Sequence, residues 1–129
     1  MKVADSSYLI EGILRNAGIL ENETFIAPDL ALYEVVNTVW KHEALIGDLP
    51  DSALRIGLFL ELVSAETVQL LRPDKKLLDE TYSLSVKYKL PTYDMVFVAL
   101  ALQLDLELET FDDRQSMIFA KERITNGEI

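Results

Sequence analysis

A three-layer α/β/α fold, with helices covering both faces of a parallel sheet, is predicted by three features of these 129 residues. Short β-branched or apolar runs alternate with longer helical patterns, and no tandem hairpin signals interrupt them. Half of the residues are hydrophobic while Gly and Pro are scarce, so there is enough apolar material for one core. No linker, repeat or low-complexity stretch divides the chain, which predicts a single domain over residues 1–129.

The elements follow in order. KVAD (2–5) is a short apolar run ending in Asp-Ser-Ser, which can close a strand and cap a helix. SSYLIEGILRNAG is read as that helix, with Gly18 as its stop. TFIAP (24–28) is β-branched and aromatic, and Pro28 suits the first turn of a second helix, DLALYEVVNTVWKHEAL, ended by Gly47. LPDSALRIGLFLELVSA is helical by spacing, TVQLL (67–71) is a third strand, and RPDKKLLDETYSLSVKYKL is a helix begun at Pro73. After Pro91 comes the apolar helix containing TYDMVFVALALQL, then LDLELET (104–110), whose alternation of Leu with acid is a strand pattern. FDDRQSMIFAKER closes as a helix.

Composition narrows the chemistry. With no cysteine there is neither a disulfide framework nor a thiolate metal site, leaving oxygen ligands and one histidine. The N-terminus lacks a signal-type apolar segment, and no apolar run approaches the roughly 18 residues of a membrane span, so a soluble cytoplasmic protein without a membrane partner is expected. A net charge of −10 argues against gripping nucleic acid by bulk electrostatics.

In a parallel sheet, ligands collect outside the carboxyl ends of the strands. Four acids fall there: Asp5 ends the first strand, Glu34 lies early in the second helix, Asp94 is in the first turn of its helix, and Asp112 follows the strand ending near Thr110. Three of them also suit plain structural roles. Asp5 and Asp112 can cap helices, and Asp94 can serve a helix dipole. Glu34 resists such an account. It shares a polar stripe with Asn37 and Thr38 on a helix read as mostly buried, where an unpaired carboxylate costs several kcal/mol.

If the four converge, their charges conflict unless a cation joins them. Oxygen-only ligands favour Mg²⁺ or Mn²⁺ over Zn²⁺. A water on such an ion is suited to attack phosphorus while the ion neutralises charge on the phosphate, which makes phosphodiester hydrolysis the natural chemistry. The same ion bridges an acidic site to an anionic substrate.

VADSSYLI at the N-terminus, EVVN on the second helix, TYDMVFVALA and LETFD together resemble the four acidic blocks of PIN-domain ribonucleases, especially the small VapC-type toxins. The resemblance covers essentially the whole chain. It implies that Asp5, Glu34, Asp94 and Asp112 bind metal and that Ser7, Asn37 and Thr110 orient the ligating carboxylates. It further implies a sheet of four or five strands, Mg²⁺- or Mn²⁺-dependent cleavage of RNA, and homodimers or dimers of dimers. A small antitoxin whose C-terminal segment blocks the site is implied as well. ITNGEI is short for a fifth strand.

Other residues suit quieter roles. His42 is expected on the surface or near its helix's C-terminal dipole, Trp40 in core or interface packing, and Arg114 in an exposed ion pair with Asp113 or Glu109. RPDKK (72–76) is read as a solvated helix start. A phosphoacceptor receiver domain would need an acidic pair after the first strand, where this chain has Asp5-Ser6-Ser7. A non-catalytic PIN-fold interaction or assembly module is the alternative to catalysis. The apolar surface of the second and third helices exceeds what one sheet face needs, and self-association is expected.

Overall fold

The computed structural model describes residues 1–127 and realises the alternation as β1 (Lys2–Ala4), α1 (Ser6–Leu14), β2 (Phe25–Pro28), α2 (Leu30–Lys41), α3 (Ser52–Ser64), β3 (Val68–Leu71), α4 (Lys75–Tyr88), α5 (Thr92–Leu104), β4 (Leu108–Glu109) and α6 (Asp113–Gly127). All strands are parallel, in the order β3-β2-β1-β4, with Val3 of β1 opposite both Ile26 and Leu108. Right-handed crossovers put α1, α2 and α3 together on one face of the sheet, and α5, flanked by α4 and α6, on the other. The α/β prediction holds, with a four-stranded sheet among the described residues.

The core forms where the two helix layers meet β1 and β2. Val3, Ala4, Phe25 and Ala27 of the strands are buried against Leu9, Ile13 and Val35 below and α5 above. Every residue from Met95 to Ala101 is buried, because α5 lies on the sheet with one side and receives α4 and α6 on the others. Burial of each large apolar side chain stabilises by about 1.5–3 kcal/mol. That run anchors α5 firmly and leaves its first turn, with Asp94, at the open end of the sheet. No helix among the described residues is long and apolar enough to cross a membrane.

Several boundaries differ from expectation, each for a local reason. The first helix stops at Leu14, not at Gly18, which instead lies in a 3-10 turn over Ala17–Leu20. Leu20 from that turn presses on Gly12, where an added Cβ would sit 2.5 Å from its side chain. Pro28 ends β2 rather than opening α2. Phe25 and Asp29 donate to β3, so the alternate position 28 faces β1, whose pairing with β2 has already ended at Ile26, and no ladder bond is lost. The fourth helix begins after Pro73, with Asp74 as its cap accepting from Leu77 N. Within 104–110, α5 runs on to Leu104 and Asp105 takes the left-handed conformation, leaving only Leu108–Glu109 to pair as strand. Gly47 does end the second helical segment, with φ +75 after a π turn over His42–Ile46. Of ITNGEI, Ile124–Gly127 continue α6, and Glu128 and Ile129 lie outside the described residues.

Candidate active site

The connection order reverses between β1 and β4, the place where an open parallel sheet leaves a crevice at its carboxyl edge. Asp5 is the residue after β1. It is 3% exposed, and its carboxylate is held from three directions. Oδ1 accepts from Tyr8 N at 3.0 Å and from Ser7 Oγ at 2.7 Å, while Oδ2 accepts from Thr110 Oγ1 at 2.7 Å. The two hydroxyls are themselves oriented by the loop after β4. Phe111 N donates to Ser7 Oγ at 3.0 Å, and Asp112 N donates to Thr110 Oγ1 at 2.9 Å. Asp5 thus caps α1 and joins the ends of β1 and β4 at once.

Asp112 caps α6, its Oδ1 accepting from Arg114 N at 2.9 Å and Gln115 N at 3.2 Å. Arg114 does not pair with Asp113 or Glu109 as expected. Its Nε lies 3.8 Å from Asp112 Oδ1, and Glu109 is instead bonded to Lys2 at 3.3 Å. The turn of α6 swings the Arg114 side chain back over its own cap, which puts a guanidinium beside the acids. Glu34 accepts from Ser6 Oγ at 2.6 Å. Asp94 is partly exposed in the first turn of α5.

The acids lie within one another's fields. Burial pushes the Asp5 carboxyl above its ordinary range, against the bonds from Ser7, Thr110 and Tyr8, and the charge of Asp112 adds to the rise. Burial likewise raises Glu34, against the Ser6 bond, with the charges of Asp94 and Asp5 contributing. Asp94 is raised by burial and by Asp112, and Arg114 offsets part of this.

One expectation about α2 needs correction. The helix is not mostly buried: Tyr33, Val36, Asn37 and Trp40 face outward, because α2 meets the core only along Ala31, Val35 and Val39. Asn37 lies on that outward face. It is exposed and, among the described residues, makes no side-chain hydrogen bond to any of the four acids. The residue bonded to Glu34 is buried Ser6, and Thr38 Oγ1 donates to the Glu34 carbonyl at 2.9 Å. Nothing local in Asp5-Ser6-Ser7 distinguishes the roles of the two serines, since the difference arises only when α2 packs against α1. His42 is engaged with Asp48 at 2.8 Å, away from the acids.

The donor set is oxygen-only and suits a hard divalent cation such as Mg²⁺ or Mn²⁺. Its geometry is open: among the described residues no three His, Asp or Glu side chains close on one ion-sized point. Three of the four carboxylates have a nearer partner. Asp5 turns to its hydroxyls, Glu34 to Ser6 and Asp112 to the first N–H groups of α6.

A search of curated proteins finds no match to the chain. The family model of the PIN domain matches residues 3–119. PIN domains have a nuclease-type fold, typically act as nucleases and generally use divalent metals. Since the match runs through both ends of the stitched strands, from Asp5 beyond Asp112, this chain belongs to the PIN-domain family.

Proposed function

We propose that the protein is a cytoplasmic, metal-dependent endoribonuclease, the toxin of a VapBC-type toxin–antitoxin pair. The observation that carries this reading is the anchorage of Asp5. A carboxylate this deeply buried normally has a cation beside it, since burial of an unpaired charge costs several kcal/mol. Here it is held by two hydroxyls and an amide, in the field of further acids. Such an arrangement opposes stability and suits an ion-binding role.

Asp5, Glu34, Asp94 and Asp112 would hold Mg²⁺ or Mn²⁺, which supplies an activated water and neutralises charge on a phosphate. Ser7 and Thr110 keep Asp5 from rotating, and Ser6 restrains Glu34. Arg114, beside Asp112, is placed to meet a phosphate oxygen. Homodimers or dimers of dimers, and a small antitoxin, are the partners we assign. Their support is the apolar surface on α2 and α3, where Tyr33, Trp40 and Leu54 are exposed.

The open donor set favours a second reading, a PIN fold retained for binding or assembly without catalysis. One experiment separates the two. The purified chain is incubated with single-stranded and structured RNAs in Mn²⁺, in Mg²⁺ and in EDTA, and cut ends are mapped. The nuclease reading expects metal-dependent internal cuts that Asp94→Asn abolishes. Intact RNA, together with no thermal shift on adding Mn²⁺, would favour the binding module.

A further inference from the structure

Phe111 stands between Thr110 and Asp112, yet its side chain gives the acid cluster no polar atom. Its ring is 59% exposed, while its backbone N–H is fixed to Ser7 Oγ at 3.0 Å. One face of the ring rests on Tyr8, with centroids 5.5 Å apart and planes inclined by 20°. Tyr8 is itself immobilised, its hydroxyl donating to the Ile19 carbonyl at 3.1 Å and its ring lying 5.7 Å from Phe25. The result is a column of aromatic rings that rises from β2 in the core and ends in solvent at Phe111, on the loop that carries Thr110 and Asp112.

Charge makes that position useful. The chain bears a net charge of −10, Lys2 is taken up by Glu109, and Arg114 is left as the cation beside the acids. Phosphate contacts alone therefore supply little affinity for a polyanion, and a contact indifferent to charge is needed. An aromatic face provides one, because every base has a π-face and stacking tolerates any sequence.

We infer that Phe111 is a stacking platform for an unpaired nucleobase of the substrate, adding one ring to the Tyr8–Phe111 column beside the acids. The inference rests on the nucleic-acid reading of those acids, and it assigns a base contact to a residue that gives them no ligand. A base within a duplex keeps both faces covered and cannot take the position without leaving its stack.

The test titrates the full-length chain in Mn²⁺ with a short single-stranded RNA containing 2-aminopurine, following fluorescence and cleavage together. The wild type should quench the probe and cleave it. Phe111→Leu keeps apolar bulk without a π-face. It should lose most of the quench and raise KM on the order of tenfold, leaving kcat within about twofold. Phe111→Trp should restore both, and a fully paired duplex of the same sequence should be a poor ligand. If the wild type cleaves while Phe111→Leu matches it in quench and KM, the inference falls and the nuclease reading survives. A Phe111-dependent quench with no cleavage by any variant upholds the platform and removes the nuclease. No quench and no cleavage by the wild type would overturn both. If Phe111→Leu converts a dimer to a monomer in light scattering while the quench persists, the ring is a contact between copies and the inference fails.

Discussion

Thr110 Oγ1 donates to Asp5 Oδ2 at 2.7 Å, linking residues 105 positions apart in the chain. The same oxygen accepts from Asp112 N, so exchanging hydroxyl for methyl breaks two bonds. Thr110→Val should destabilise by about 1–3 kcal/mol, since it leaves a buried carboxylate oxygen and an amide short of partners. Thr110→Ser should cost less than about 1 kcal/mol because it keeps the hydroxyl. Urea denaturation of both variants measures this. Equal stability of Thr110→Val and wild type would mean that the bond contributes nothing net.

Glu34→Gln should stabilise the metal-free protein at neutral pH. The amide oxygen can still accept from Ser6, while burial and the charges of Asp94 and Asp5 no longer oppose an anion. Glu34 is partly exposed, so the gain should be about 0.5–1 kcal/mol after solvent screening. The sign follows from the raised carboxyl: its contribution is fully present below its ordinary pKa of 4.5 and is lost as pH rises through the raised value. The advantage of Gln should therefore vanish near pH 4. Denaturation in EDTA across this range checks both the sign and the window.

Activity should decline on the acid side, beginning above the ordinary carboxylate range. Asp5, Glu34 and Asp94 are all raised, so protons compete for the same oxygens at higher pH than for free side chains. The apparent affinity for Mn²⁺, followed by thermal shift, should weaken through the same interval as cleavage. Cleavage that continues unchanged in EDTA would exclude metal dependence.

Away from the acids, Glu122 of α6 is buried and receives Lys87 Nζ at 2.7 Å and Tyr88 OH at 2.9 Å from α4. The Lys87 bond holds its carboxyl below the usual range, so this contribution is present above the ordinary pKa of 4.5 and is lost as pH falls through the lowered value. Lys87→Met should destabilise the protein at pH 7 and do so less in acid, the exposure of the lysine keeping the effect small. Parallel denaturation curves at pH 7 and pH 3 test it.

Trp40 is 51% exposed on α2 beside Tyr33 and Val36, so it does not pack in the core. If this face joins two copies, Trp40→Glu should yield a monomer in light scattering at micromolar concentration, with the fold retained by circular dichroism. A wild type that is already monomeric would remove the proposal.

The type of each element was legible because hydrophobic spacing reports burial, and burial follows the layers. Boundaries were less so, since they depend on what arrives from elsewhere. Gly18 looked like a helix stop, but the turn after Leu14 is set by Leu20 returning onto Gly12. Leu104–Thr110 alternated like a strand, yet β1 is only three residues long and α5 holds Leu104. At the site, the positions of Asp5 and Asp112 could be read from strand ends, whereas the wiring could not. Ser6 and Ser7 are identical in chemistry and adjacent in sequence, and one turns to Glu34 while the other turns to Asp5. The burial of α2 was overestimated because helical spacing gives a face but not whether that face meets protein or water.

The pairing of β4 with β1 also sets an order of events during synthesis. The first strand made waits for the last, since Thr110 and Asp112 reach Asp5 only after Leu108 and Glu109 have paired beside Val3 and Ala4. On the ribosome, then, a nascent chain carries Asp5 and Glu34 well before the other half of the cluster exists. The four acids therefore cannot come together until Asp112 has been made and β4 has paired, however much of the first half of the chain has already folded.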